Sequence, residues 1–437
     1  MQVRGDMRRL FLLFWVLCFI AGPARAADSP VEYVLAGKLL DVRSGKVLNN
    51  QVIVIHGDRV ERVAAASEVN IPAGATVTDL SHATVLPGLI DAHTHTFLTL
   101  ETPIGRYDEQ LLKESWQYRT IEAVVNVKLD LEAGFTTLRD VGNEGAMYSD
   151  VDVRNAINRG LIPGPRMQVA TRAISVTGGY PLTGYSPEVT VTKGVQIIDG
   201  PIEGRKAVRE QISYGADLIK IYSTQEDSGF DASKPPRPAG EEMWRQPLLT
   251  LEEVNAIVDE AHRAGVRVAC HSYVDPGLRN CLDAGVNSIE HGIVLNDADI
   301  ATMVAKGIYL VPTLDLTMYE LVLPEVVPLH EVSFKKALAS GVKIAFGTDV
   351  GAFKHGTQAF EFEYMVKYGM SPLQAIQSAT LGGADLMGWS DRVGEIAPKK
   401  FADIIAVQGN PLDDIKQLEH VKFVMKGGQV VRNDFVK

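Results

Sequence analysis

The sequence predicts an α/β fold: a (β/α)8 TIM-type barrel beside a small β-sandwich domain that both chain ends build. Three observations predict it. Between residues 85 and 388, short apolar runs alternate with amphipathic helical stretches, as in βα units with parallel strands. On either side of that stretch the sequence reads as short strands. His93, His95, Lys220, His271, His291 and Asp349 stand at or near the C-terminal ends of the apolar runs, where such barrels carry their chemistry.

The first element is a targeting segment. Arg4, Arg8 and Arg9 precede the apolar stretch Leu10 to Ala21, and Ala24-Arg25-Ala26 offers a small-residue cleavage site. The apolar run is shorter than the ~20 residues of a spanning helix. Residues 1–26 are therefore expected to be a signal peptide, with export to the periplasm or the medium and no stable membrane anchor after cleavage.

The small β-domain is expected from residues 27–84 and 389–437. In the first part, Gln51 to Val60 reads as a strand, a Gly57-Asp58 turn and another strand. In the second, Asp403 to Val407, Val421 to Met425 and Gly428 to Val431 read as strands.

The barrel is expected from residues 85–388. Eight strand ends are legible: Ile90 to His95, Thr136 to Asp140, Met167 to Ala170, Leu218 to Tyr222, Val266 to His271, Ser288 to His291, Tyr309 to Pro312 and Ile344 to Asp349. One intervening helix is well marked. Thr250-Leu251-Glu252-Glu253 opens it with a capping box, and it ends at Gly265. The stretch Ser223 to Pro247, with Lys234-Pro235-Pro236-Arg237-Pro238, is long and irregular and reads as a loop over the site.

Composition bounds the function. A chain of 437 residues with 46% hydrophobic and 22% charged residues has room for one large domain with an appendage. Its formal net charge is −11, and the four arginines and one aspartate of the first 26 residues leave the rest near −14. That balance argues against nucleic acid or an anionic membrane as partners. Of three cysteines, Cys18 would leave with the signal peptide. Cys270 and Cys281 read as two free buried thiols, although an oxidising compartment would allow them to pair.

The candidate ligands can be taken in turn. Val85 to Ala92 is an apolar run that ends in His93-Thr94-His95. Residues two apart on a strand share a face, so both imidazoles can reach one ion, and imidazole suits zinc and its neighbours. Lys220, between Ile219 and Ile221, is costly to bury charged. Either its ammonium reaches solvent, or it is neutral and takes up CO2 as a carbamate able to bridge two ions. His271 and His291 end successive strands. Asp349 ends Gly347-Thr348-Asp349, where Gly347 permits close backbone approach and the aspartate is either a ligand or a helix cap.

The chain resembles the metal-dependent amidohydrolase superfamily, in its exported prolidase, imidazolonepropionase-like and ochratoxin-hydrolysing branch. Pro87 to His95 is similar to the family's first-strand motif, Gly134 to Asp140 to its second, and Ala261 to Gly265 to the approach to its fifth. Ser288 to Gly292 resembles the sixth-strand motif, Gly347 to Asp349 the eighth, and Gly394 to Ile404 the return into the small β-domain.

The resemblance implies two zinc ions or other divalent metals. His93, His95 and Asp349 would hold the more buried ion, His271 and His291 the second, and a carboxylated Lys220 would bridge them. A hydroxide between ions roughly 3.5–4 Å apart would be the nucleophile, with Asp349 as general base and then acid. The implied reaction is hydrolysis of an amide to a C-terminal amino acid, in a dipeptide, an N-acyl amino acid or an amino-acid-conjugated aromatic such as ochratoxin. A cyclic-amide or lactone hydrolase with the same centre, or a metal-free binding barrel, is the rival reading.

The chain departs from common relatives at Lys220 to Gln225 and at His271-Ser272-Tyr273, both near the expected pocket. Tyr222 would donate to a tetrahedral oxyanion or merely pack. His355 would meet a substrate carboxylate or lie in a surface loop. Thr177 and Gly178 would line the pocket or serve a turn. The expected partner is a small-molecule or peptide substrate, and the expected assembly a homo-oligomer.

Overall fold

Alternating burial is clearest near the N-terminal end, where buried Val34 and Ala36 stand between part-exposed Tyr33, Leu35 and Gly37. In the computed structural model, the described residues are 31–100, 107–179, 185, 186, 188–225, 247–314 and 326–436. The expected signal peptide and most of the loop expected at Ser223 to Pro247 lie outside them. Strands β1 (Val31–Asp41), β2 (Lys46–His56), β3 (Arg59–Ala65) and β4 (Thr76–Pro87) come first. The barrel follows with β5 (Leu89–Thr94), β6 (Phe135–Asp140), β7 (Arg166–Val169), the short β8 (Ile174–Ser175) and β9 (Gln196–Ile197), then β10 (Leu218–Tyr222), β11 (Arg267–Ser272), β12 (Ser288–His291) and β13 (Tyr309–Val311). The chain closes with β14 (Ile404–Val407), β15 (Phe423–Lys426) and β16 (Gln429–Asn433).

Strands from both chain ends share one seven-stranded sheet, in the order β16-β15-β14-β4-β1-β2-β3. One of its faces buries a separate core that includes Val34, Ile53, Leu80, Val85, Ile404, Phe423 and Met425. β4 is the joint with the barrel. It pairs with β1 on one side and antiparallel with β14 on the other. The chain then turns into β5 at Gly88, where any side chain would strike Thr136, its Cβ lying 2.1 Å from Thr136 Oγ1.

The barrel strands run parallel. β5, β6 and β7 pair in one sheet, and β10 to β13 continue in another with β8 and β9. The Asp217 amide, which donates to the Val169 carbonyl at 2.9 Å, joins the two. The eighth strand expected at Ile344 to Asp349 closes the ring by single bridges rather than a ladder: Leu310 with Ile344, and Thr94 with Val350. Seven ladder strands and this bridged segment stand where the eight were expected. The helix Leu251–Arg263 carries the expected capping box, with the Thr250 side chain and Glu253 satisfying each other's backbone amides.

The strands bury side chains on both faces, as parallel barrel strands do. Ile219, Ile221, Val268, Cys270 and Ile289 face the helical layer in the main core, whereas Leu218 and Ala269 face inward with Val141 and Ala170.

One expectation about this layer is overturned. Cys270 and Cys281 are not two free thiols. They form a disulfide across 11 residues, linking β11 to the helix Gly277–Ala284. Both side chains point into the same helix–sheet layer, so burial and pairing do not compete here.

Candidate metal centre

β5 delivers His93 and His95 to the barrel mouth on one face. The nitrogen of each ring that meets the protein leaves the other nitrogen aimed inward. His93 Nδ1 lies 2.8 Å from Glu290 Oε2, and its Nε2 lies 3.4 Å from Asp349 Oδ1. His95 Nδ1 lies 2.8 Å from the Gly142 carbonyl, and its Nε2 lies 3.2 Å from the same Asp349 oxygen. One donor atom from each of the three side chains falls within 4.8 Å of the others.

Asp349 reaches this point through its backbone. Its amide donates to the His93 carbonyl at 2.8 Å. Gly347 lets the segment lie against β5, since a Cβ there would be 2.8 Å from His93 Cβ. Asp349 then takes φ +68°, a left-handed conformation that costs a non-glycine residue about 1–3 kcal/mol. The turn swings its carboxylate inward.

The remaining ligand candidates surround the first group. The His93 and His291 ring centroids are 4.9 Å apart, and those of His291 and His271 are 4.6 Å apart. The Tyr222 ring lies 4.5 Å from His271, and Lys220 Nζ sits 5.3 Å from the Tyr222 ring centroid. Lys220 is fully buried. On β10 it shares a face with Tyr222, two residues on, and its charge helps to depress His93, His271 and His291. The structure thus brings the six ligand candidates and Tyr222 together at the C-terminal ends of β5, β10, β11, β12 and the bridged eighth segment.

Electrostatics divide the ring. Burial, and then the Lys220 charge, hold His271 well below the ordinary histidine range. Burial, and then the His271 and His93 charges, do the same to His291. His93 is lowered by burial and Lys220 against the pull of Asp349. Burial opposes charge on His95 as well, but its contacts with Asp349 and Glu144 outweigh it and raise the group well above the ordinary range. Burial would raise Asp349, yet His93 and His95 hold it well below the usual carboxylate range.

Several supporting residues were not legible as such. Glu290 bonds His93 and is gripped by Arg139, whose Nη2 lies 2.8 Å from each of its oxygens. The Ser288 hydroxyl adds a bond at 2.5 Å. Glu144 Oε1 lies 3.2 Å from His95 Nδ1, and its other oxygen accepts from the Tyr107 hydroxyl at 2.6 Å. His291 Nδ1 is 2.7 Å from the Thr313 hydroxyl, and His330 Nε2 donates to the His291 carbonyl at 3.0 Å. Asp91, which accepts from Thr348, is pushed up to about 8 by burial against the hydrogen bonds from Thr348 and the His93 amide. Arg139, Asp91 and Glu290 all lie inside the motifs noted above. Their signal was a charged residue in an otherwise apolar strand.

The expected substrate contacts fare differently. His355 does not face a substrate. It is buried, with Nδ1 donating to Asp130 at 3.0 Å and Nε2 donating to the Leu98 carbonyl at 3.0 Å. Both nitrogens are committed because both partners only accept. Thr177 is exposed, and its hydroxyl donates to Asp199 at 2.6 Å. Gly178 sits beside it at φ +79°, the conformation of a turn. No contact of either with the metal-ligand candidates is found among the described residues. The neighbours Ile219 and Ile221 do not surround the Lys220 ammonium either. They point outward into the helix–sheet layer, on the opposite face of the strand.

The donor set fits a divalent ion. His93 and His95 present Nε2 toward one carboxylate oxygen. Among the described residues, the buried Nε2 of His271 has no hydrogen-bond partner.

Known proteins resemble this chain in sequence and in fold. The sequence profile of the amidohydrolase family matches residues 84–431. Ochratoxinase from Aspergillus niger is 29% identical over 94% of this chain and 88% of that protein. Imidazolonepropionase from Cutibacterium acnes is 25% identical over 82% of this chain and 84% of that protein. The crystal structure of a Xaa-Pro dipeptidase with bound methionine superposes with a TM-score of 0.81 at 35% identity, covering 92% of this chain and all of that one.

Proposed function

We propose, from the premise that the chain belongs to the amidohydrolase family, that it is an exported dinuclear zinc enzyme releasing a C-terminal amino acid from an amide. That it is a hydrolase acting on C–N bonds follows from the family and from its ochratoxinase and prolidase-like relatives. The finer reading rests on one observation: His93 and His95 converge on Asp349, while His271, His291 and Lys220 face the same space.

In this reading His93, His95 and Asp349 would hold one ion, His271 and His291 would hold a second, and Lys220, as a carbamate formed from CO2, would bridge them. Such ions, when bound, supply an activated water and polarise the scissile carbonyl. The chain's own residues do the rest. Asp349, kept ionised by His93 and His95, takes a proton and passes it to the leaving amine. Tyr222, beside His271, orients the substrate carbonyl by hydrogen bonding. The buried rings of Tyr222 and Tyr273 keep bulk water from the reacting atoms.

The substrate class draws on the relatives. One is a Xaa-Pro dipeptidase with bound methionine, another a prolidase complexed with N-methylphosphonate-L-proline at 28% identity, and a third an ochratoxinase. Export draws on the N-terminal segment and on the Cys270–Cys281 disulfide, a bond that persists in oxidising compartments. N-terminal sequencing of native protein should find a start near Ala27. Exposed Tyr118, Ile121 and Val125 on the helix Trp116–Glu132 support assembly with further copies.

The test is a screen of dipeptides, N-acyl amino acids and amino-acid-conjugated aromatics with the C-terminal residue varied. Turnover should depend on a free C-terminal carboxylate. Turnover confined to cyclic amides or lactones would replace this reading with the rival one.

A further inference from the structure

We propose that the chain carries a second small-molecule site, for an aromatic monocarboxylate, in the cavity between the loop after Asp349 and the helix Glu361–Lys367. None of the residues lining it is a candidate metal ligand, so the proposal stands apart from the dinuclear reading.

The cavity measures about 580 Å³, within the range of ~300–1,000 Å³ that small-molecule sites occupy. Three aromatic rings line it, those of Phe353, Phe360 and Tyr364. Phe360 is 44% exposed, so an occupant would cover apolar surface that water now meets. Aromatic rings receive a flat aromatic body through offset or edge contacts. The loop is also fixed in advance. The Gly351 amide donates to the Phe353 carbonyl at 3.2 Å, and the Thr357 hydroxyl donates to the Lys354 carbonyl at 2.7 Å. His355, within the same turn, is anchored to Asp130. A wall already held in place spares the ordering cost that a loose one would add on binding.

Charge decides the sign of the ligand. Lys354 and Lys367 line the same cavity, and both are exposed. The chain has 54 acidic residues against 43 basic ones, so carboxylates are plentiful. Four other exposed lysines of this half of the chain have found one: Lys335 pairs with Glu331, Lys336 with Asp297, Lys343 with Asp385 and Lys416 with Glu363. Among the described residues, no carboxylate lies within ion-pair distance of Lys354 or Lys367. Glu363, the acidic residue of the lining, is offset by Lys416. The Lys367 ammonium stands 5.5 Å from the centroids of both the Tyr364 and Tyr368 rings. Lysine is a point charge rather than a planar fork, so it sets the sign of its partner without demanding two-point geometry. Two such charges beside three rings suit one carboxylate on an aromatic body.

The test is equilibrium dialysis of 2-naphthoate against the zinc-loaded full-length enzyme, with 2-naphthamide as the neutral counterpart. A carboxylate also has affinity for bound metal, so substitutions decide where it sits. Lys354→Met and Lys367→Met should each weaken 2-naphthoate by up to about 5-fold, the worth of an exposed ion pair. Each should leave 2-naphthamide binding and zinc content unchanged. Phe360→Ala should weaken both compounds. All three side chains are exposed, so the variants should fold. Equal binding of the two compounds would overturn the assignment of an anion. Binding of 2-naphthoate that ignores all three substitutions would put it at the metals and overturn the site. A change of oligomeric state in Phe360→Ala, read by sedimentation, would give the cavity to a second copy of the chain and overturn the proposal likewise.

Discussion

The Thr348 hydroxyl donates to Asp91 Oδ2 at 2.6 Å, tying the first barrel strand to the segment that closes the ring. Asp91 is two residues from His93 and Thr348 is next to Asp349, so this buried bond joins the Asp349 amide's bond to the His93 carbonyl in setting the distance between two ligand candidates. Thr348→Val keeps the shape and removes the donor. It should cost about 1–3 kcal/mol, the price of a buried acceptor left short of a partner. Urea unfolding of the metal-free protein measures the loss, and activity should fall with it.

Asp349→Asn retains an oxygen toward His93 and His95 but cannot carry a proton. The variant should keep its fold and much of its metal while losing roughly 10²–10⁴-fold in turnover. Turnover near that of the wild type with unchanged metal content would place the proton transfer on another group.

Lys220 is fully buried, and its charge helps to hold His271 and His291 below the ordinary histidine range. Lys220→Ala should lose the bridge, much of the bound metal and nearly all activity. Acetate or propionate in the gap should restore part of it. Elemental analysis with and without the added carboxylate reads the outcome. Full metal loading in the variant would count against a bridging lysine.

The His355–Asp130 pair gives a pH-dependent prediction. Burial opposes charge on His355, but the Asp130 carboxylate outweighs it and raises the group above its ordinary value. The folded state therefore binds the proton more tightly than the unfolded chain does. The stabilisation is complete below the unfolded pKa of ~6.5 and is lost as pH rises through the folded value. His355→Leu should cost roughly 3–5 kcal/mol at pH 6, because it strands a buried carboxylate. The gap to wild type should narrow in alkaline buffer. A gap that widens with pH in equilibrium unfolding would contradict the charged pair.

Replacing Cys270 and Cys281 together with alanine should lower stability by about 2–3 kcal/mol, as expected for a bridge closing a short loop. Because both side chains are buried, wild-type protein should resist reductants at ambient temperature and lose its bridge only as it unfolds. Thiol titration across a thermal ramp in reductant follows both events.

The fold was largely legible because alternation and spacing report strands. The eight strand ends and the helix opened by Thr250 needed no tertiary knowledge. The ligand candidates were legible for the same reason, since they interrupt apolar runs. What was not legible depends on backbone departures and on long-range partners. Glu290 faces inward by alternation and His291 should face out, but φ +71° at His291 turns it in beside its neighbour. No periodicity announces such a turn. The isoleucines beside Lys220 suggested an apolar surrounding because neighbours in sequence were taken as neighbours in space, and on a strand they are opposites. His355 depends on Asp130, 225 residues away. The cysteine pair was missed because burial reads alike for thiols and disulfides.

The joint at β4 bears on when the centre forms. β4 leads directly into the strand of His93 and His95, and one of its two neighbours is β14, roughly 300 residues later in the chain. At ~5–20 residues per second, a ribosome needs on the order of 15–60 s to cover that distance. Throughout that interval the base of the first ligand strand has an open edge. A chain still growing has its histidines but not the frame that aims them. Any metal would accordingly be loaded only after the last strands have arrived.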